Sequence, residues 1–179
     1  MILVILVIAD VALTRITGLS FGNSKVFLLN DEKDRIESNR IISDWKKWWH
    51  ENTSKTKVDW LIEALDSGSF ENAKSAALLL GRLNDQSAVP PLINLIKNGN
   101  SELTFYAVES LALLSSMTAV PYLVVLYLAN DNLEYRKKGI KYLKRLTGNE
   151  FDYDASATIR SRNKVIEKWN NWLRTKNNK

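Results

Sequence analysis

Three segments decide how this chain folds: Val58-Asp-Trp-Leu-Ile-Glu-Ala-Leu65, Val89-Pro-Pro-Leu-Ile-Asn-Leu-Ile96 and Val120-Pro-Tyr-Leu-Val-Val-Leu-Tyr127. Leu61, Leu92 and Leu123 stand 31 residues apart, and so do Val58, Val89 and Val120. In the first segment apolar residues recur at Val58, Leu61, Ile62 and Leu65, the spacing that lines one stripe of a helix. Pro90, Pro91 and Pro121 fall at the second or third place, where a helix start leaves N–H groups without partners. Short breaks follow: Ser67-Gly-Ser69, Asn98-Gly-Asn100 and Ala129-Asn-Asp-Asn132. Gly, Asn and Ser there supply turn conformations and caps for the next helix.

The second halves superpose as well. Ala76-Ala77, Ala107-Val108 and Gly139-Ile140 hold one place; Leu80, Leu111 and Leu143 hold the next; Leu83, Leu114 and Leu146 the third. The last unit needs one extra residue, which falls in its turn. Small residues at the first place let a paired helix approach closely. Each unit therefore reads as a helical hairpin that cannot bury its own apolar faces alone and shares a core with its neighbours.

From Lys57 to Gly148 this pattern, with its Ala-Val-Pro-x-Leu starts at Ala88 and Ala119, resembles HEAT-type repeats. The resemblance is specifically to the short HEAT-like class of bacterial proteins, of the bilin-lyase type. The resemblance implies an all-α chain, a right-handed α–α superhelix (a HEAT-like solenoid) with second helices on its concave side. It is unspecific for function, because such repeats serve many roles. HEAT-like proteins include two enzyme classes, bilin lyases and alkylpurine DNA glycosylases. No motif here matches the glycosylases' catalytic Asp or DNA contacts.

The flanks repeat each other. Thr14-Arg-Ile-Thr-Gly18 matches Lys144-Arg-Leu-Thr-Gly148, and Phe21 matches Phe151. Ala9, Leu13 and Ile16 take the places of Gly139, Leu143 and Leu146, so Met1 to Ile16 reads as the second helix of a repeat. Gly18 and Gly148 stand where C-cap glycines end helices. Leu19 to Asn30 reads as a loop with an apolar patch, Val26 to Leu29, followed by a helix over about Asp31–Glu51. A helix over about Ser161–Lys176 closes the chain. Its Val165, Ile166, Trp169, Trp172 and Leu173 match Ile41, Ile42, Trp45, Trp48 and Trp49. The organisation expected is residues 1–56 as a helix and first Trp-bearing cap, 57–148 as three hairpins and 149–179 as loop and second cap, in one structural domain.

Composition narrows the chemistry. The 179 residues suit one domain with a sizeable core, and 45% hydrophobic content with mean hydropathy −0.21 fits a water-soluble chain. Without cysteine there is neither a disulfide scaffold nor a thiolate metal site, and the one histidine, His50, rules out a multi-His site. No Gly-rich phosphate loop or Ser–His–Asp arrangement is visible. The sequence thus predicts no catalytic residue, no metal and no cofactor. The apolar run Met1–Ala9 is too short to span a bilayer, which leaves a cytoplasmic protein, or an exported one if Met1–Ala12 serves as a signal segment.

Charge is uneven. Residues 133–179 carry 13 Lys and Arg against 5 Asp and Glu, a net +8 within a chain of +5. The cluster Arg136, Lys137, Lys138, Lys141, Lys144 and Arg145 places its lysines on the face opposite Gly139 and Leu143, and Arg160, Arg162 and Lys164 extend it. Two readings stand: a surface that attracts an acidic protein or a nucleic-acid backbone, and a solvated helix face. Trp45, Trp48, Trp49, Trp169 and Trp172 read as caps closing the ends of the repeat array, or as an aromatic platform; sharing a stripe with aliphatic residues favours caps. Trp60 lies off its helix's stripe, where partial exposure against the preceding Trp helix is expected. Glu150, Asp152 and Asp154 lack the Gly and distal Glu of a calcium loop and read as caps of the last helix. The function expected is a non-enzymatic protein-interaction scaffold, its partner contacts at Glu109, Lys137, Lys138, Lys141, Lys144 and Arg145. The alternative is a nucleic-acid binder or base-modifying enzyme with a basic groove.

Overall fold

The computed structural model describes Leu13, Thr17 and Leu19, residues 32–98 and residues 101–177. The expected first helix, the loop through Asn30 and the turn residues Gly99 and Asn100 lie outside the described residues, apart from those three positions. All regular structure among the described residues is helical. The chain forms two compact units, Met1–Pro91 and Leu92–Lys179.

The first unit contains α1 (Glu32–Asn52), α2 (Lys57–Leu65) and α3 (Phe70–Leu83), then a 3₁₀ turn at Gln86–Ala88. On α1, Ile41 and Trp45 are buried, with Ile42 and Trp48 half-buried beside them. The opposite face carries Arg40, paired with Glu37 at 2.6 Å and Asp44 at 2.7 Å, three and four residues away. Thr56 and Asp59 start α2 with a capping box: the Asp59 N–H donates to Thr56 Oγ1 at 3.3 Å and the Thr56 N–H to Asp59 Oδ2 at 2.9 Å. Ser69 caps α3 through the Asn72 N–H. α2 and α3 pack as a hairpin, because Ala73, Ala76 and Ala77 are small enough to let Leu61 and Leu80 bury completely. The Trp60 indole donates to the Asn52 carbonyl at 3.0 Å and its ring meets Trp48 at 5.2 Å, which fastens the end of α1 to α2. The half-buried position expected for Trp60 follows from that contact.

The division between the units falls inside α4 (Val89–Lys97). The second unit continues with α5 (Ser101–Leu113), then α6 (Ala119–Tyr122), which runs into a π-helical segment over Leu123–Leu128. α7 (Leu133–Thr147) and α8 (Ile159–Asn177) complete it. The turn 129–132 carries the extra residue that the repeat spacing requires. The π winding before it is a finding the repeat alignment does not contain. A π turn takes one residue more than an α turn, and here it directs Leu123, Val124, Tyr127 and Leu128 all into the core. α7 packs on this segment at Gly139, where an added Cβ would stand 2.5 Å from the Tyr127 Cβ. Leu61, Leu92 and Leu123 are each 0% exposed, so the 31-residue beat marks core positions.

The repeated Thr-Gly elements share a local geometry. Thr17 Oγ1 donates to the Leu13 carbonyl at 2.8 Å and accepts from the Leu19 N–H at 3.1 Å. Thr147 Oγ1 does the same with Leu143, at 2.8 Å, and the Asn149 N–H, at 3.1 Å. Gly148, at φ +75°, caps α7 with its N–H on the Lys144 carbonyl. The Trp pairs agree too: Trp45 meets Trp48 edge-on at 5.8 Å, and Trp169 meets Trp172 at 5.7 Å.

Candidate functional site

α5 and α7 are the second helices of the second and third hairpins, and between them lies a cleft of about 490 Å³. Phe105 and Glu109, one turn apart on α5, line one wall with Tyr106. Glu134, Lys137, Lys138 and Lys141 recur at helical spacing on α7 and line the other with Tyr135. Tyr127 lies beneath as a buried floor; its hydroxyl donates to the Phe105 carbonyl at 3.0 Å. Phe105, Tyr127 and Tyr135 form a mutual aromatic cluster with ring centres 5.0 to 5.6 Å apart. Tyr135 remains 39% exposed and presents its ring to the opening.

The cleft's charges are largely matched internally. Lys137 donates to Glu134 at 2.9 Å, and Lys138 meets Glu109 at 2.7 Å. Glu109 also accepts from the Tyr142 hydroxyl at 3.0 Å. Burial and the Glu109 charge together push Tyr142 up to about 12. Tyr127 moves the same way, through burial first and Glu109 second. Lys141 alone of the three lysines has neither an ion pair nor a hydrogen bond among the described residues.

Of the six contact residues expected from sequence, Glu109, Lys137, Lys138 and Lys141 come together at this cleft. Lys144 and Arg145 do not line it. Lys144 pairs with Glu150 at 2.8 Å, while Arg145 donates to the Ala112 carbonyl and lies over the Tyr142 ring at 5.2 Å. Arg136 and Arg162 depart further from a basic surface, for both are buried. Arg136 donates to the carbonyls of Ala155, Asn130 and Asp131 at 2.6 to 2.8 Å; Arg162 reaches those of Ala157 and Asn130. Planar guanidinium groups can satisfy several loop carbonyls at once, and these two hold the segment between α7 and α8. Tyr153 adds a 2.5 Å bond to the Leu128 carbonyl.

The acidic loop also behaves differently from expectation. Asp154 accepts from the Ser156 N–H and hydroxyl at 2.8 and 2.6 Å, which holds its carboxyl below the usual range. The residue that caps α8 is Thr158, through the Ser161 N–H. Among the described residues no cluster of three His, Asp or Glu side chains could hold a metal. Of the five tryptophans expected as caps, Trp45 and Trp169 are buried, Trp48 and Trp172 half-buried, and Trp49 is 52% exposed. Phe151, held at φ +49°, packs edge-on against Trp169 at 4.8 Å.

The aromatic lining was not read from the sequence. Its signal was present: Phe105-Tyr106 stands one turn before Glu109, and Tyr135 sits beside the basic run of α7. Repeat alignment alone gives these positions no common face, because they come from two hairpins.

Stacked hairpins with small residues at their crossings and no strand among the described residues define an α-helical repeat protein. A family model for HEAT repeats matches residues 58–150, more than half of the chain, and the chain belongs to that family. The match ends within two residues of Gly148, where the repeat pattern was expected to stop. No curated protein and no solved structure matches the chain. No helix among the described residues is long and apolar enough to cross a membrane.

Proposed function

We propose that this protein is a non-enzymatic interaction module that holds a partner protein on the face shared by α5 and α7. HEAT repeats generally mediate protein–protein interaction, which supports the reading at the level of class. The observation that carries it here is the cleft itself: an exposed aromatic ring, Tyr135, set beside lysines on a preformed helical surface. Aromatic rings supply contact area at low entropic cost, and rim charges steer the approach. A surface that tracks nucleic-acid phosphates needs several unpaired cations. In this cluster Lys137, Lys138 and Lys144 are paired, and Arg136 is buried on carbonyls. That pairing favours a protein over a nucleic acid.

Site-directed photo-crosslinking tests the reading. A benzophenone side chain at Tyr135 is expected to trap one discrete protein, whereas the same group at exposed Ile159 does not. Equal, diffuse labelling from both positions would refute the assignment of this face.

A further inference from the structure

We infer that the occupant of the α5–α7 cleft is an acidic peptide segment. It seats an aromatic or branched aliphatic side chain against Tyr135 and Phe105, and a carboxylate on Lys141. This rests on the interaction-module reading above and adds the chemistry of the bound segment.

Charge complementarity leads to it. The cleft holds three ammonium groups and two carboxylates. Glu134 is engaged by Lys137, and Glu109 by both Lys138 and the Tyr142 hydroxyl. Lys141 is left as the cation with no partner among the described residues. A neutral occupant covering Lys141 would strip water from an ammonium and return nothing. A cationic group, such as a trimethylated lysine, finds aromatic faces here. It also meets the unpaired Lys141 ammonium, while both carboxylates of the cleft are already committed to Lys137 and Lys138. One incoming carboxylate balances the site.

Size and surface fix the rest. A cleft of about 490 Å³ takes one or two side chains, within the range of about 300–1,000 Å³ usual for such sites. Tyr135 offers an exposed ring in contact with Phe105 and Tyr127 at 5.0 and 5.6 Å. An apolar side chain laid on that ring removes it from water, and the carboxylate beside it fixes direction along α7.

The test is fluorescence anisotropy on the full chain with fluorescein-labelled eight-residue peptides. The parent alternates Glu and Ser around a central Phe. Three variants change every Glu to Gln, Phe to Ala, or Phe to trimethyl-lysine, and a labelled single-stranded oligonucleotide of equal charge is the fifth probe. The parent is expected to bind about tenfold more tightly than the Gln or Ala variant. Lys141→Ala is expected to weaken it about tenfold and Lys141→Glu further, while Lys47→Ala, exposed on α1, changes nothing. Circular dichroism confirms that each variant is folded. Equal binding of the Gln peptide, preference for trimethyl-lysine, tighter binding of the oligonucleotide, or no binding of the parent overturns the inference. Adding the parent peptide to the Tyr135 crosslinking reaction separates the two claims. A discrete crosslink that the peptide reduces supports the acidic occupant and one that it leaves unchanged refutes that occupant alone, whereas absence of any discrete crosslink before the peptide is added refutes the interaction face as well.

Discussion

Gly139 and Tyr127 meet backbone to side chain: a Cβ on Gly139 would stand 2.5 Å from the Tyr127 Cβ. The approach seats α7 on the π segment and holds the Tyr127 ring as the floor of the cleft. No rotamer change relieves such an overlap, since a Cβ cannot swing away.

Gly139→Ala should therefore cost about 1–3 kcal/mol, the usual range for overpacking. Urea unfolding should show a lower midpoint with an unchanged slope. Gly148 is the control, because its Cβ would meet nothing within 4 Å and only φ +75° is at stake. Gly148→Asn should be milder than Gly148→Ala, since Asn tolerates that conformation, whereas Gly139→Asn should be worse than Gly139→Ala. The opposite order at Gly139 would mean that close approach is not what this glycine provides.

Leu123 is completely buried and repeats Leu61 and Leu92. Leu123→Ala is expected to lose about 2–5 kcal/mol by thermal or urea unfolding. Leu123→Met, which conserves volume, should lose less than about 1.5 kcal/mol. A loss below 1 kcal/mol for the alanine variant would contradict a packed spine at this position.

Arg136 satisfies three loop carbonyls, so charge alone cannot replace it. Arg136→Lys should loosen residues 149–158, seen as faster amide hydrogen exchange there than in α5. Uniform acceleration across the second unit, or none, would argue against a specific clamp on this loop.

Stability should fall at alkaline pH. Tyr142 titrates near 12 when folded, against about 10 for an unperturbed tyrosine. Below 10 both states hold the proton and stability is flat with respect to this group. Between 10 and 12 the unfolded state gives up its proton first, so stability drops as pH rises. Tyr127 and Tyr153 shift in the same direction and add to the drop. Urea midpoints from pH 8 to 12 should show the decline, and Tyr142→Phe should flatten part of it. An identical alkaline slope in the variant would remove Tyr142 from the explanation.

Trp60→Phe keeps a ring against Trp48 but removes the indole donor to Asn52. The expected loss is about 1 kcal/mol, the net value of one such bond. No measurable change would leave the ring contact as the whole of Trp60's role.

Among the described residues, periodicity alone gave the helices and their order, though Trp49, placed on a stripe with Ile41 and Trp45, is 52% exposed. Leu61, Leu92 and Leu123 had to face inward because any other rotation exposes a whole apolar stripe. Pro placement, the small residues before Leu80, Leu111 and Leu143, and the terminating Gly148 were legible for the same reason: each is a local demand of the backbone. The duplicated Thr-Gly and Trp elements were legible as repetition. Folding decided which cations stay free, because Glu109 lies 29 residues from Lys138 and their pairing depends on how α5 and α7 approach. It spent Arg136 and Arg162 on loop carbonyls, wound Leu123–Leu128 as a π turn, and gathered Phe105, Tyr127 and Tyr135 into one cluster. These depend on contacts between hairpins, and a one-dimensional pattern carries no distance between residues that only packing makes neighbours.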